Sequence, residues 1–214
     1  MAQAADAVVE RTNAFRKTQG LEPVSAEPAL ERAAREFARF MAKTGKYGHT
    51  ADGRRPPQRA TAQGYEYCIV SENIAYQYRS SGYDSATLAR EMAEGWKQSP
   101  EHRKNMLEPA VTQTGVGIAQ GEDGRYFGVQ MFGRPKSAAI RFSVRNSAGA
   151  KIRYRAGESE FSLGPRATRT HTVCRATDIR IALASQSEPF STRAQDGARY
   201  TVTGSGVEVR RAAR

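Results

Sequence analysis

Three side chains of this 214-residue chain could do chemistry together: His49, Glu72 and His102. Each lies in a short polar segment between apolar stretches, and the two imidazoles are among only three in the chain. Neutral imidazoles and a carboxylate are usual ligands of Zn²⁺, and the same groups act as general acids and bases. Histidines that cap helices or hydrogen-bond in place would have no such role. The three residues lie far apart in sequence, so their spacing alone leaves both interpretations open.

Three polar residues are expected to support this site: Asn73, Ser99 and Asn105. The two asparagine amides suit hydrogen bonds to the backbone that fix the loops around a cleft. Ser99 lies three residues before His102, but at a helix break, where its hydroxyl is expected to cap the next turn. A serine-hydrolase mechanism is therefore disfavoured. Hydrolysis would instead need Glu72 as a general base acting through water.

The apolar pattern before residue 135 predicts helices around a small sheet, which is an α+β fold. Helical periodicity predicts helices over 5–18, 27–43 and 85–98, with short helices near 58–63 and after Ser99. Alternating residues predict strands over 68–78, 113–120 and 125–133, the last two joined as a hairpin. Ser85 is the expected N-cap of the 85–98 helix. This places His49 in a loop, Glu72 on a strand and His102 on a short helix.

The remainder of the chain has a different pattern, of short alternating runs separated by turn residues. It predicts an all-β domain of about seven strands, arranged as a small sandwich. The predicted strands cover 139–144, 150–155, 160–163, 168–174, 178–184, 199–203 and 206–210. Two domains are therefore predicted, over 5–134 and 136–214.

The formal charge of +11 is concentrated in the second domain. Residues 1–135 carry 18 Lys and Arg against 16 Asp and Glu, whereas residues 136–214 carry 15 against 6. Such asymmetry indicates a unit that faces something anionic. An anionic envelope component, either a glycan or a lipid head group, would suit arginine side chains. The second domain has no recognised motif that interleaves aromatic and basic residues, so nucleic-acid binding is not predicted. The simplest alternative is that the arginines only keep the domain soluble.

The sequence also bears on location. No apolar run approaches the roughly 20 residues of a membrane helix. The small residues of Met1–Ala5 are typical of signal cleavage sites, which predicts a secreted or periplasmic protein. In such a compartment Cys68 and Cys174 would form a disulfide between the two halves. The alternative is two buried free thiols.

Seven short motifs occur in one order between about residues 5 and 134. Together they resemble the bacterial, SCP-like extracellular branch of the CAP superfamily, which groups cysteine-rich secretory proteins, antigen 5 and pathogenesis-related proteins. The motifs are Asn13-x-x-Arg16, Gly48-His49-Thr50, Gly64-Tyr65, Ser71-Glu72-Asn73-Ile74, Trp96-x-x-Ser99-Pro100-x-His102-Arg103-x-Asn105, Gly115-Val116-Gly117 and Gly128-Val129-Gln130-Met131-Phe132-Gly133.

The resemblance implies a three-layer α-β-α sandwich with a cleft built from two histidines and two acids. His49, His102 and Glu72 match three of these four residues. The fourth, three residues after the tryptophan, is Ser99 here, and no motif supports Glu66 or Glu101 as its substitute. With one carboxylate missing, the resemblance implies a weak, exchangeable Zn²⁺ site at most.

The expected role is an extracellular or envelope binding module whose cleft holds a divalent metal. Some relatives bind lipids, so the resemblance adds a small apolar ligand to the anionic partners. The alternative function is a metal-dependent, peptidase-like hydrolase that uses the two histidines and Glu72. The sequence does not decide whether the protein is an enzyme.

Overall fold

The computed structural model describes residues 1–183 and 188–211. The chain divides into two compact units, Met1–Ser137 and Ala138–Arg214, and each is described by itself. No helix within the described ranges has both the length and the apolar character needed to cross a membrane. Cys68 and Cys174 are both disulfide-bonded, which confirms the predicted disulfide because the chain has no other cysteine.

The first unit has five helices and a four-stranded sheet. The helices are α1 (Ala2–Thr18), α2 (Pro28–Thr44), α3 (Pro56–Ala62), α4 (Ser85–Gln98) and α5 (Pro100–Met106). The strands are β1 (Ser25–Ala26), β2 (Tyr67–Gln77), β3 (Gln113–Gln120) and β4 (Tyr126–Pro135). Their order across the sheet is β1-β3-β4-β2, with β1 parallel to β3 and the other pairs antiparallel.

Helices cover both faces of this sheet. Helix α2 packs its apolar stripe, including Leu30 and Phe37, on the face that also carries Val129. Successive strand residues point to opposite faces, and the next residue, Gln130, hydrogen-bonds to Thr12 of α1 on the other side. Gly128 contacts the side chain of Met92 in α4 on that same side. The predicted three-layer α-β-α fold is confirmed.

The ends of the helices follow from local chemistry. Glu27 caps α2 by accepting a hydrogen bond from a backbone N–H, and Gly45 ends the helix with φ of 68°. A positive φ is the backbone conformation that glycine adopts without strain. Helix α4 is capped by Asp84, whose Oδ1 accepts from the Thr87 N–H at 2.8 Å. The prediction of Ser85 as the N-cap was therefore wrong by one residue, because the adjacent aspartate is an equally good cap.

Two glycines let α2 lie directly against β3. A Cβ atom on Gly115 would overlap the backbone of Glu31, and one on Gly117 would overlap the backbone of Arg35. Any side chain at these positions would therefore have to push the helix away from the sheet. The Gly-Val-Gly motif is a packing requirement of the fold.

Over residues 138–183 and 188–211, the second unit is a sandwich of two four-stranded sheets. The strands are β5 (Ile140–Asn146), β6 (Ile152–Ala156), β7 (Ser159–Leu163), β8 (Thr168–Val173), β9 (Asp178–Ile181), β10 (Phe190–Arg193), β11 (Ala198–Val202) and β12 (Val207–Arg211). Their orders are β10-β9-β6-β7 and β12-β11-β5-β8. Buried residues from both sheets form one core, among them Phe142 and Tyr200 from one sheet and Tyr154 and Ile181 from the other.

This architecture confirms the predicted all-β unit, and its described residues form one strand more than the seven expected. The additional strand is β10, whose four residues contain a single large apolar side chain, Phe190. So short a run gives no clear alternation in the sequence. The predicted end of the 178–184 strand, at Ala184, lies outside the described residues.

Candidate functional site

Three elements of the first unit bring the predicted site residues together. The loop between α2 and α3 carries His49, strand β2 carries Glu72 and Asn73, and helix α5 carries His102 and Asn105. Glu72 and Asn73 are buried. They face opposite sides of the sheet because they are neighbours on a strand.

Glu72 holds the His49 imidazole in one orientation. Nδ1 of His49 lies 2.9 Å from Oε1 of Glu72, whose side chain is fully buried, whereas the His49 side chain is 48% exposed. A carboxylate only accepts hydrogen bonds, so Nδ1 carries the proton and Nε2 of the neutral ring keeps its lone pair. In this arrangement the carboxylate fixes the tautomer and the direction of the histidine.

Arg59, on helix α3, completes the surroundings of Glu72. Its Nη2 donates to both carboxylate oxygens at 2.8 Å, and its Nη1 donates to Oδ1 of Asp52 at 2.7 Å. The guanidinium also donates to the carbonyl of His49 and lies 3.6 Å from the centre of the Phe37 ring. Both oxygens of Glu72 are therefore occupied, and Arg59 ties the buried strand to the His49 loop.

Sequence reasoning did not identify Arg59 or Asp52 as parts of the site. No motif points to them. The one indication was that a carboxylate buried at Glu72 requires a cationic partner. The sequence contains 33 lysines and arginines, and nothing in the spacing of the α3 residues separates Arg59 from its neighbours Arg54 and Arg55. Its burial appears only once α3 has packed on the sheet.

His102 is close enough to His49 for their charges to interact. Burial lowers the pKa of His102, and the nearby His49 lowers it further, whereas Glu101 acts in the opposite direction. The neutral form of His102 is therefore favoured. A charge on one imidazole therefore disfavours a charge on the other.

The supporting residues make the following contacts. The Asn73 amide donates to the His102 carbonyl at 3.1 Å, and the Asn105 amide donates to the Glu72 carbonyl at 3.2 Å and to Oδ1 of Asn73 at 2.9 Å. These bonds fasten α5 to strand β2. Ser99 occupies the N-cap position of α5, but its hydroxyl makes no capping hydrogen bond. That part of the expectation for Ser99 was wrong: Pro100 fixes the first helical φ, and the Ser99 carbonyl, not its hydroxyl, accepts from the Arg103 N–H at 2.8 Å.

Neither of the alternative acids takes the missing fourth position by direct contact. Glu66 is exposed and pairs with Lys136 at 3.4 Å. Glu101 influences the His102 pKa through its charge. The second carboxylate joined to the cluster is Asp52, which reaches Glu72 through Arg59.

The donor set can be tested against the expected Zn²⁺. No group of three or more His, Cys, Asp or Glu side chains placed to hold a metal ion occurs in 1–183 or 188–211. Catalytic zinc sites use three protein ligands and structural sites use four. The residues present do not fit either kind, since Glu72 is engaged by Arg59 and only two imidazoles remain. A weakly held ion with two histidine ligands stays a prediction.

An exposed aromatic pair includes Tyr47, two residues before His49 in the same loop. Tyr47 and Tyr76 pack edge to face with their ring centres 5.2 Å apart, and they are 45% and 48% exposed. The Tyr47 hydroxyl donates to the Ile74 carbonyl at 3.2 Å. Tyr76 and Glu72 lie on the same face of β2, four residues apart. Tyr65, which precedes β2, is buried, whereas Tyr76 on β2 is exposed and available to a ligand.

Comparisons with known proteins agree with this architecture. A protein of Bacillus subtilis (strain 168) called YkwD is 31% identical over 128 residues, which are 59% of this chain and 46% of YkwD. The chain therefore covers less than half of that relative. The solved structure of an outer surface protein from Borrelia burgdorferi matches with a TM-score of 0.53 at 20% identity. The match covers 62% of this chain and 93% of the Borrelia chain.

A second solved structure, an extracellular SCP-domain protein from Bacillus anthracis, has a TM-score of 0.50 at 24% identity and covers 61% of this chain and 40% of its own. These likenesses support the fold. The model of the cysteine-rich secretory protein family, CAP, matches residues 9–132. That match spans more than half of the chain and includes His49, Glu72 and His102, and the chain belongs to the CAP family.

Proposed function

We propose that this chain is an extracellular or envelope binding module and that its CAP cleft recognises a ligand without catalysing a reaction on it. The observation that carries the proposal is the state of Glu72. Its side chain is fully buried, and both oxygens accept hydrogen bonds from Arg59 while one also accepts from His49. A general base must reach the proton that it removes, and this carboxylate has no oxygen directed to a substrate.

The surface around the cleft offers groups suited to recognition. His49 is half exposed, and its Nε2 can accept a hydrogen bond or bind a metal ion weakly. The rings of Tyr47, in the His49 loop, and of Tyr76, on the Glu72 strand, add an exposed apolar surface. Aromatic rings with a polar edge are typical of binding surfaces. A small ligand with an apolar part, or a sugar face, matches this combination.

The location outside the cytoplasm rests on separate support. The chain has a disulfide, which forms and persists in oxidising compartments. The similar proteins from Borrelia and Bacillus anthracis are described as an outer surface protein and an extracellular protein. Fractionation of the native host, with the protein detected by antibody in the envelope or medium, tests this part of the proposal.

The competing function is a metal-dependent hydrolase that uses His49, His102 and Glu72. The test is turnover of labelled peptide and ester substrates with Zn²⁺ added, by the wild type and by Glu72→Gln. We expect no turnover by either protein. Turnover by the wild type that Glu72→Gln abolishes would contradict the proposal and establish the hydrolase.

The metal prediction is tested by calorimetric titration with Zn²⁺. Weak one-site binding that is lost in the His49→Ala/His102→Ala variant supports the two-histidine site. The Glu66→Gln variant is the control, since Glu66 is exposed and pairs with Lys136. If the wild type does not bind Zn²⁺, the metal prediction is wrong and only organic ligands of the cleft remain proposed.

A further inference from the structure

The outer face of the β12-β11-β5-β8 sheet carries four arginines. Along β5 the buried Phe142 and Val144 alternate with the outward Arg141, Ser143 and Arg145. Pairing between strands adds Arg199 on β11, which lies opposite Ser143, and Arg210 on β12, which lies opposite Arg199. Residues that are directly opposite share a face of the sheet. We call this surface the arginine face, defined by Arg141, Arg145, Arg199 and Arg210.

The positive charges of the arginine face are poorly compensated. Arg199 lies directly opposite Arg210, and like charges in that position destabilise a sheet. Arg210 has Glu208 at 3.9 Å, with both side chains more than half exposed. Within the described part of the chain, Arg141, Arg145 and Arg199 make no ion pair with a carboxylate. An external anion would relieve this repulsion.

The opposite sheet gives a useful contrast. Its outer face carries Arg153, Arg155, Arg180 and Arg193. There, Arg155 lies between Glu160 on one neighbouring strand and Arg180 on the other, and Arg193 pairs with Asp178 at 3.8 Å. The two faces therefore carry the same number of arginines and one opposed arginine pair each. On their described strands the arginine face has one outward acid, Glu208, and the other face has two, Glu160 and Asp178. Asp196, which precedes β11, accepts a hydrogen bond from the Arg141 backbone N–H at 2.8 Å and makes no ion pair with the guanidinium.

Hydroxyl groups surround the arginines of the arginine face. Thr168, Thr170 and Thr172 on β8 lie opposite Arg145, Ser143 and Arg141, and Thr201 lies opposite Arg145 on the other side. With strands about 4.8 Å apart and about 3.4 Å per residue, the patch is roughly 14 Å in each direction. It is therefore wide enough to contact more than one unit of a linear polymer at once.

These observations identify a class of ligand. Guanidinium groups bind carboxylates through paired hydrogen bonds, and Ser and Thr hydroxyls can both donate to and accept from sugar hydroxyls. None of the described residues that face outward on these four strands is aromatic, so bases have nothing to stack on as they do in proteins that bind single-stranded nucleic acid. None is a large apolar residue that would enter a bilayer.

We propose that the arginine face binds an acidic polysaccharide whose sugars carry carboxylates. The proposal deepens the envelope-binding role and rests on it for its biological setting. It uses a different surface from the His49 cleft, so zinc binding and turnover can fail without affecting it.

The test measures binding of the intact chain to polygalacturonate at low and at physiological salt. The variant is Arg141→Gln/Arg145→Gln/Arg199→Gln, and its matched control is Arg153→Gln/Arg155→Gln/Arg180→Gln, which changes net charge by the same amount. We expect the first variant to bind about tenfold more weakly, since each exposed charge pair contributes a factor of no more than about five. The control is expected to lose less than about threefold, because its arginines do not touch the polymer and exposed charges farther than a Debye length are largely screened.

Three results would overturn the proposal. Equal loss in both variants would show that net charge alone is responsible. Tighter binding of oligothymidylate or phosphatidylglycerol vesicles than of polygalacturonate would assign the face to another ligand, and no binding by the wild type at low salt would exclude the polysaccharide. Circular dichroism checks folding, and Arg199→Gln alone supplies the readout if the triple variant is unfolded.

Discussion

Replacing Arg59 by methionine is the most direct test of how the cleft is held together. The guanidinium donates to Glu72, to Asp52 and to the carbonyls of His49 and Arg54. Methionine fills a similar volume over the Phe37 ring but donates no hydrogen bond. The Arg59→Met variant therefore leaves the buried Glu72 carboxylate with His49 as its remaining side-chain partner.

The expected cost follows from the burial of the pair. The side chains of Arg59 and Glu72 are 4% and 0% exposed. Removing one partner of a buried ion pair typically destabilises a protein by about 3–5 kcal/mol. At about 2–4 °C per kcal/mol for a unit of this size, the unfolding midpoint of the first unit falls by roughly 10 °C.

A single tryptophan makes the measurement specific. Trp96 is the only tryptophan in the chain, lies on α4 and is 1% exposed. Its fluorescence during urea or thermal unfolding therefore reports the first unit of the intact protein. The control is Arg54→Met, an exposed arginine in the same segment, for which we expect a change within about 0.5 kcal/mol.

A second substitution tests the cause of the effect. Adding Glu72→Gln to Arg59→Met replaces the unpaired buried charge by a neutral amide, so we expect part of the lost stability to return. If Arg59→Met unfolds with the wild-type midpoint, the ion pair does not hold the His49 loop and our account of the cleft is wrong. If the double variant is less stable than Arg59→Met, the unpaired charge is not what destabilises the single variant.

Three further predictions concern other parts of the molecule. Burial, followed by the charge of Arg169, lowers the pKa of His171. The stability that neutral His171 provides is therefore complete above about pH 6.5 and is lost as the pH falls through the lowered pKa. Thermal melts between pH 7.5 and 5 will show a smaller pH dependence of the unfolding midpoint in His171→Gln than in the wild type, and an unchanged dependence would contradict this. After tryptic cleavage at the Lys136–Ala138 turn, electrophoresis will show two fragments only when reductant is added, and separation without reductant would disprove the disulfide. Gly117→Val will prevent folding or lower the unfolding midpoint measured by Trp96 fluorescence, because the valine side chain meets the α2 backbone. Gly95→Ala, in open space on a helix, will instead raise the free energy of unfolding by about 0.5–1 kcal/mol. An unchanged midpoint in Gly117→Val would refute the packing role.

Local patterns in the sequence predicted most of the fold because the determining interactions are local. The apolar stripe of α2, with Pro28 at its start and Gly45 at its end, identified that helix to within a residue. The turn residues before Tyr126 identified the β3–β4 hairpin. The errors occurred where local signals compete or fade, as between Asp84 and Ser85 at the start of α4, or in the four-residue strand β10.

The candidate site was only partly predictable. The motifs located His49, Glu72 and His102, whose placement follows from the loop, strand and helix that carry them. They did not show that Glu72 is bound by Arg59, because that contact joins residues 13 positions apart on elements that meet only after folding. The role expected for a carboxylate depends on what already occupies its oxygens. Sequence motifs do not contain that information.

The glycines beneath α2 have a consequence for the cleft. Helix α2 ends at Gly45, and the segment that follows it leads directly to His49. The height at which Gly115 and Gly117 seat the helix on the sheet therefore also sets where the histidine loop starts. A mutation on β3 that touches neither imidazole would move one of them relative to the other. The spacing of the two imidazoles can thus be altered from the opposite end of a helix, through a change in the distance between that helix and the sheet.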